Sequence, residues 1–162
     1  MRLNRDEYRR FVDLTKSGGP YASTAPSDVV YALAALAGGN EIEASHVWYT
    51  SEGRETAWFG LWLVPAGLIY VTAAYNEPNW TGNRENSVGP RRPSIFFSWY
   101  RRTADVKAIG IKSIDADSSG KQFVLRGEAV LELEGNPQKL TVKFGEPGSG
   151  AAELLAKLRD RL

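Results

Sequence analysis

The residues best suited to recognition are concentrated between positions 80 and 102. Arg84, Arg91, Arg92, Arg101 and Arg102 stand there against one acid, Glu85, interleaved with Trp80, Phe96, Phe97, Trp99 and Tyr100. A guanidinium grips a carboxylate or phosphate through two parallel hydrogen bonds, and flat rings stack on bases or anchor a protein interface. Arg, Trp and Tyr also dominate the energetics of many interfaces. Trp80, Arg84, Arg91, Arg92, Trp99 and Arg101 are therefore the candidate partner-binding residues. The competing account is structural: strand aromatics fill the core, while loop arginines are solvated or pair with Glu128, Glu132 and Glu134.

The other constellations carry less. Asp115, Asp117, Ser119 and Gly120 mimic the first half of a calcium loop, but the twelfth position is Arg126 where a bidentate Glu is needed. A hairpin turn is expected there, since Asp, Ser and Gly are turn formers. The run Gly145-Glu146-Pro147-Gly148-Ser149-Gly150 precedes a helix whose amides could hold an anion, yet no Lys-Ser/Thr follows as a phosphate loop requires. It reads as a connector with Ser149 as helix N-cap.

His46 is the only histidine, and no serine lies in a Gly-x-Ser-x-Gly elbow, so a triad would have to use this one imidazole. A structural or surface role at the edge of the first strand, beside Trp48 and Tyr49, is expected. Glu41, Glu43, Glu52 and Glu55 lie around it with no spacing that favours an acid/base pair. The chain has no cysteine, which removes disulfides, Cys-ligated zinc, iron–sulfur clusters and thiol nucleophiles. No catalytic residue, metal ligand or cofactor is assigned.

Composition sets the frame for these residues. The 162-residue chain is 43% hydrophobic and 24% charged, which fits one packed domain or one domain with a helical extension. Its formal net charge of +1 supplies no global field for nucleic acid or anionic lipid, so any basic site must be local. Residues 1–10 hold four arginines and no apolar core, so no secretion signal is expected and the Asn79-Trp80-Thr81 sequon carries no weight. The longest apolar stretch, 57–75, is broken by Pro65 and Gly67, whereas a membrane helix needs about 20 uninterrupted residues. A cytoplasmic location is the expectation.

The elements that must position these side chains follow from period and punctuation. Asn4 with Glu7 forms a capping box ahead of Tyr8, Phe11 and Val12, predicting a helix to about Lys16. Ser17-Gly18-Gly19-Pro20 breaks it, and a second helix runs from Pro26 or Ser27 to Ala37, stopped by Gly38-Gly39. About seven strands occupy 48–144. The hairpin 57–64/68–75 turns at Pro65-Ala66-Gly67 and puts Trp58 and Trp62 on one face, with Phe59, Leu61 and Leu63 on the other. Both faces are bulky, so this strand is buried on two sides or covered outside by the helices. A long polar loop is expected over 76–94, strands over 95–102 and 105–114 joined near Thr103-Ala104, and a turn at Asp117–Gly120. The strand 123–134 alternates apolar with charged residues, and Leu140, Val142 and Phe144 give the inward face of the last strand. A helix over 151–162 carries Leu154, Leu155, Leu158 and Leu162 on one stripe, as a lid for a core would.

A meander of seven strands opened by a Trp-bearing hairpin and closed by one helix resembles the pleckstrin-homology-like superfold, its bacterial and GRAM-type members most closely. The likeness rests on the hairpins 59–63/68–71 and 123–133/140–144, the strand 105–114 and the helix 151–162, and it covers roughly 46–162. It implies a binding platform rather than an enzyme. The basic signature by which some members grip inositide head groups falls in the first hairpin, and 57–75 contains no Lys or Arg, so inositide binding is not implied.

These readings predict an α+β protein: an antiparallel seven-stranded barrel or bent sandwich over 43–162, capped by a C-terminal helix, with residues 1–42 as a helical extension against its outside. The expected function is a non-enzymatic intracellular adaptor that recognises a protein or peptide partner. The alternative is a small-molecule-binding or enzymatic barrel with an aromatic-lined pocket in which Arg101 or His46 orients the ligand.

Overall fold

The computed structural model describes residues 1–18, 22–119 and 122–162. Helix α1 (Arg5–Leu14) begins with the expected capping box, in which Asn4 Oδ1 accepts from the Glu7 amide and Glu7 Oε2 from the Asn4 amide, both at 2.9 Å. Helix α2 (Ser27–Ala37) stops at Gly38, whose φ of 58° suits a residue without Cβ. Of the breaker between the helices, Gly19 and Pro20 lie outside the described residues.

Seven antiparallel strands follow: β1 (Ala44–Glu52), β2 (Glu55–Val64), β3 (Gly67–Tyr75), β4 (Ile95–Arg102), β5 (Val106–Ser119), β6 (Gln122–Leu133) and β7 (Leu140–Phe144). They form a four-stranded sheet in the order β1-β2-β3-β4 and a three-stranded sheet in the order β5-β6-β7. Helix α4 (Ala151–Arg159) comes last.

The period-2 alternation of β2 divides the interior in two. On one face Trp58 and Trp62, both wholly buried, join Ile69, Val71 and Tyr75 of β3 beneath α1 and α2. Each indole N–H is spent on tying a neighbouring segment down: Trp62 Nε1 donates to the Leu14 carbonyl at 2.8 Å, and Trp58 Nε1 to the Trp80 carbonyl at 2.7 Å. The N-terminal helices are thus a layer of the same body, laid on the outside of the first sheet. On the opposite face Leu61, Leu63 and Leu68 meet Leu131, Leu133 and Val142 of the second sheet together with Leu154 and Leu158 of α4. The closing helix caps this second core, as its leucine stripe predicts.

Four expectations need correction. The strands do not close into a barrel: no ladder joins the two sheets among the described residues. A single 3-10 turn, Thr103–Asp105, redirects the chain after β4; the Asp105 carboxylate accepts from the Arg102 amide at 3.2 Å and pairs with its guanidinium at 3.3 Å. The chain leaves the plane of the first sheet there, and β5 begins a new one. The polar loop 76–94 contains a helix, α3 (Gly82–Val88), capped by Thr81 Oγ1, which accepts from the Arg84 amide at 3.3 Å. Asp117 to Ser119 remain in β5 instead of turning, and the expected Gly120 lies outside the described residues. Finally, α4 ends at Arg159, and its N-cap is Gly150; Ser149 Oγ accepts from the Ala151 amide at 3.2 Å.

Candidate functional site

Strand β4 carries the centre of the aromatic–arginine segment. It pairs with β3 from Ala74↔Ile95 to Gly67↔Arg102, and its other edge has no strand partner among the described residues. Cross-strand register assigns its faces. Ile95, Phe97, Trp99 and Arg101 lie with Leu68 and Tyr70, toward the second sheet, while Phe96, Ser98 and Tyr100 lie with Ile69 and Val71, toward the helices. Ile95, Phe96 and Phe97 are nevertheless exposed, at 59%, 46% and 55%. Native edge strands are usually short, charged or covered; this one presents aromatic rings to water.

The six candidate residues do not converge on one surface. Trp80 is fully buried in the helix-side core, its ring centroid 6.2 Å from that of Tyr75. Its amide donates to Thr56 Oγ1 at 2.9 Å, and its Nε1 has no acceptor among the described residues. Trp80 is therefore a core residue, approached from outside by the Arg91 guanidinium 6.0 Å from its ring. Trp99 is half-buried on the opposite side of the sheet, tilted against Tyr70 at 5.4 Å. Arg101 lies half-buried on that same face, and exposed Arg92 precedes β4. Exposed Arg84 sits in α3 and donates to the Pro78 carbonyl at 3.4 Å.

Charge pairing separates these arginines. Arg91 lies 3.5 Å from Glu77, whereas Arg84, Arg92 and Arg101 have no carboxylate within ion-pair distance among the described residues. Glu128, Glu132 and Glu134, the acids proposed to neutralise them, pair with Lys112, Lys139 and Lys107 instead. The one acid of the segment is also spent. Glu85, buried on α3, accepts from the Ser27 amide at 2.7 Å and the Ser27 hydroxyl at 2.6 Å, capping α2 across the fold. Burial, with a smaller contribution from the Glu85 charge, raises the Asp28 carboxyl, and burial followed by the charge of Asp28 raises Tyr75, whose hydroxyl lies 3.1 Å from Asp28 Oδ2.

No protein-family model, curated protein or solved structure matches this chain.

Beside β4, a groove of about 200 Å³ runs between the sheets, lined by Tyr70, Thr72, Phe97 and Trp99 and by Gln138 and Lys139 of the turn before β7. A larger cleft of about 540 Å³ lies at the far edge of the first sheet, with Trp48, Tyr49, Lys143 and Glu146 on its walls. His46 lines it but is only 6% exposed; burial pushes its pKa down to about 4, so the ring is neutral at pH 7. The ring stacks on Trp48 at 4.5 Å, and Nδ1 lies 3.1 Å from Ser149 Oγ. No carboxylate contacts the imidazole among the described residues, so the serine–histidine pair lacks the third member that would orient a catalytic base. Of the surrounding acids, Glu43 pairs with Arg161, while Glu52 stands across from Glu55 at the β1–β2 turn.

The half calcium loop is likewise resolved by register. Asp115 sits directly across from Arg126, so the side chain that spoils the metal site faces the first acid. No cluster of metal-ligating side chains is present among the described residues, and no helix there is long and apolar enough to cross a membrane. Sequence reasoning missed Glu85, whose spacing from Ser27 gives no local signal, and the solvent exposure of Ile95; the exposure of Phe96 and Phe97 goes against the competing account in which the strand aromatics fill the core.

Proposed function

We propose that the chain is a non-enzymatic binding module that takes an extended acidic segment of a protein or peptide partner along the free edge of β4. The observation that carries this reading is an unpaired strand edge bearing exposed aromatic rings between guanidiniums without carboxylate partners. Main-chain hydrogen bonds to a sheet edge supply affinity without demanding sequence, and flanking pockets and charges select the incoming segment. Phe97 and Trp99 offer the apolar contact, and Arg92 and Arg101 select acidic residues. The four-plus-three strand arrangement and the closing helix also support the pleckstrin-homology-like reading, which favours an adaptor over an enzyme by analogy of fold alone.

The test uses a defined probe: a fluorescent peptide of alternating Glu and Val, with a peptide of alternating Lys and Val as the comparison. The acidic peptide should bind the full chain, and Arg92→Glu/Arg101→Glu should weaken it at least about tenfold, as loss of interfacial ion pairs does. Phe97→Ala should weaken it without changing its salt dependence. Equal binding of both peptides, or binding indifferent to the charge reversal, refutes this surface.

A further inference from the structure

The hairpin of β5 and β6 outgrows the body that it belongs to. β7 pairs with β6 only from Leu131↔Leu140 to Gly127↔Phe144, whereas β5 and β6 stay paired as far as Ser119↔Gln122. Beyond Ile114↔Gly127 the hairpin is a two-stranded ribbon with no third strand among the described residues. A two-stranded ribbon alone is marginal in water and needs a packed face to persist.

Its two faces differ sharply. Residues directly opposite one another share a face, so the register separates the polar pairs Ser113/Glu128 and Asp115/Arg126 from the pairs Ile114/Gly127, Ala116/Leu125 and Ser118/Phe123. That second face is the outward continuation of the one on which Ala129, Leu131 and Leu133 are buried in the core. From Ile111, across from Ala129, outward it is uncovered among the described residues: Ile111, Ile114, Phe123 and Leu125 are exposed at 57%, 55%, 75% and 51%.

We infer that this apolar ribbon face is the interface of a symmetric homodimer, its occupant the same face of a second copy of the chain. Two features favour self-pairing over a foreign partner. On this face of the free ribbon each large side chain stands opposite a small one, Leu125 across from Ala116 and Phe123 across from Ser118. Two such faces laid together about a two-fold axis set the bulky groups of each over the small groups of the other, the self-complementarity that an isologous contact requires. The area is also sufficient. At roughly 200 Å² per large side chain, the four exposed residues offer on the order of 500 Å² per chain, and a pair removes on the order of 1,000 Å², where specific interfaces begin. The contact stacks sheet on sheet and extends the second core of each copy into the other.

Sedimentation velocity and light scattering on the full chain test this directly. The wild-type chain should sediment as a dimer at micromolar concentration. Phe123→Ser/Leu125→Ser should raise the dissociation constant by about 100-fold or more, since two anchors leave each side of the contact. Both residues are exposed within one chain, so circular dichroism and the urea midpoint of the monomer should hold. Asp115→Asn on the polar face and Phe97→Asp on β4 should leave the dimer intact. A chain that stays monomeric at high micromolar concentration overturns the inference. So does a dimer that survives the ribbon substitution or is broken by Phe97→Asp. A monomer that instead partitions onto phosphatidylcholine vesicles through Phe123 also overturns it, by assigning the ribbon to lipid. These outcomes are separate from peptide binding at β4, which the ribbon substitution should not alter.

Discussion

Lowering the pH from neutrality should weaken this fold through one side chain above all, His46. Its ring is sealed between Trp48 and the segment leading into α4, and burial is the cause that lowers its pKa from 6.5 to about 4. The helix adds to this in kind: Ser149 Oγ, 3.1 Å from Nδ1, also accepts the Ala151 amide at 3.2 Å, so the imidazole sits at the positive end of a helix. In the neutral Nε2–H tautomer the ring accepts from the serine hydroxyl through Nδ1; protonation makes that nitrogen a donor and forces the hydroxyl to turn. The folded chain therefore binds the proton less tightly than the unfolded chain. The stability this confers is fully present above pH 6.5 and is lost as pH falls through 6.5 toward 4. At about 1.4 kcal/mol per pH unit, the gap between 6.5 and about 4 corresponds to about 3 kcal/mol. Against a total of about 5–15 kcal/mol for a domain, that is a large share. Urea denaturation at half-unit steps from pH 7.5 to 4 measures it, and the single histidine makes its proton resonance unambiguous. His46→Gln keeps an acceptor for the serine but cannot titrate, so its midpoint should change much less over the same range. A histidine titrating near 6.5 in the folded chain, with a flat wild-type midpoint between pH 7 and 5, would refute the reasoning.

Two further perturbations probe the helix layer. Trp62→Phe removes the donor to the Leu14 carbonyl and part of a fully buried ring, and should cost about 2–4 kcal/mol in urea denaturation; a loss below about 1 kcal/mol would mean that α1 is held by other contacts. Glu85→Ala leaves the Ser27 amide and hydroxyl without their acceptor and should cost about 2–3 kcal/mol, with Glu85→Gln costing about half as much because one carbonyl oxygen remains. Hydrogen exchange at the first turn of α2 should rise in the same order, and unchanged exchange in the alanine variant would remove Glu85 from its capping role.

What could be read from the residues was what nearest neighbours determine. Asn4 and Glu7 announce α1 because both halves of a capping box lie within one turn, and the split of Trp58 and Trp62 from Leu61 and Leu63 follows from the alternation of any strand. What escaped depends on distant partners. Helix α3 has no apolar stripe; its Thr81 cap, the bond from the Gly82 amide to the Thr24 carbonyl and the bonds that Glu85 accepts from Ser27, 58 residues away, anchor it. Trp80 sits in a polar stretch and looked like a surface anchor. Asn79, the one described non-glycine residue with positive φ, at 50°, lies immediately before it, where the chain turns back and the indole enters the core. A tryptophan following a Pro-Asn corner is the local signal of this turn inward. The alternation in β6 was visible, but periodicity names the face and not how far the body beneath it extends; Phe123 and Leu133 carry the same pattern with opposite fates.

The two cores close at different moments of synthesis. Everything beneath the tryptophans is supplied by the first 80 or so residues, with Leu14 reaching Trp62 across 48 positions, so that half can assemble while the ribosome is still making β5. The leucine core waits for α4, where Lys157 finds the Glu43 carbonyl 114 positions back and Arg161 reaches the carbonyl of Val64. Until the second sheet and then α4 arrive, Leu61, Leu63 and Leu68 stand bare on a nascent sheet, an adhesive surface of the kind that chaperones hold.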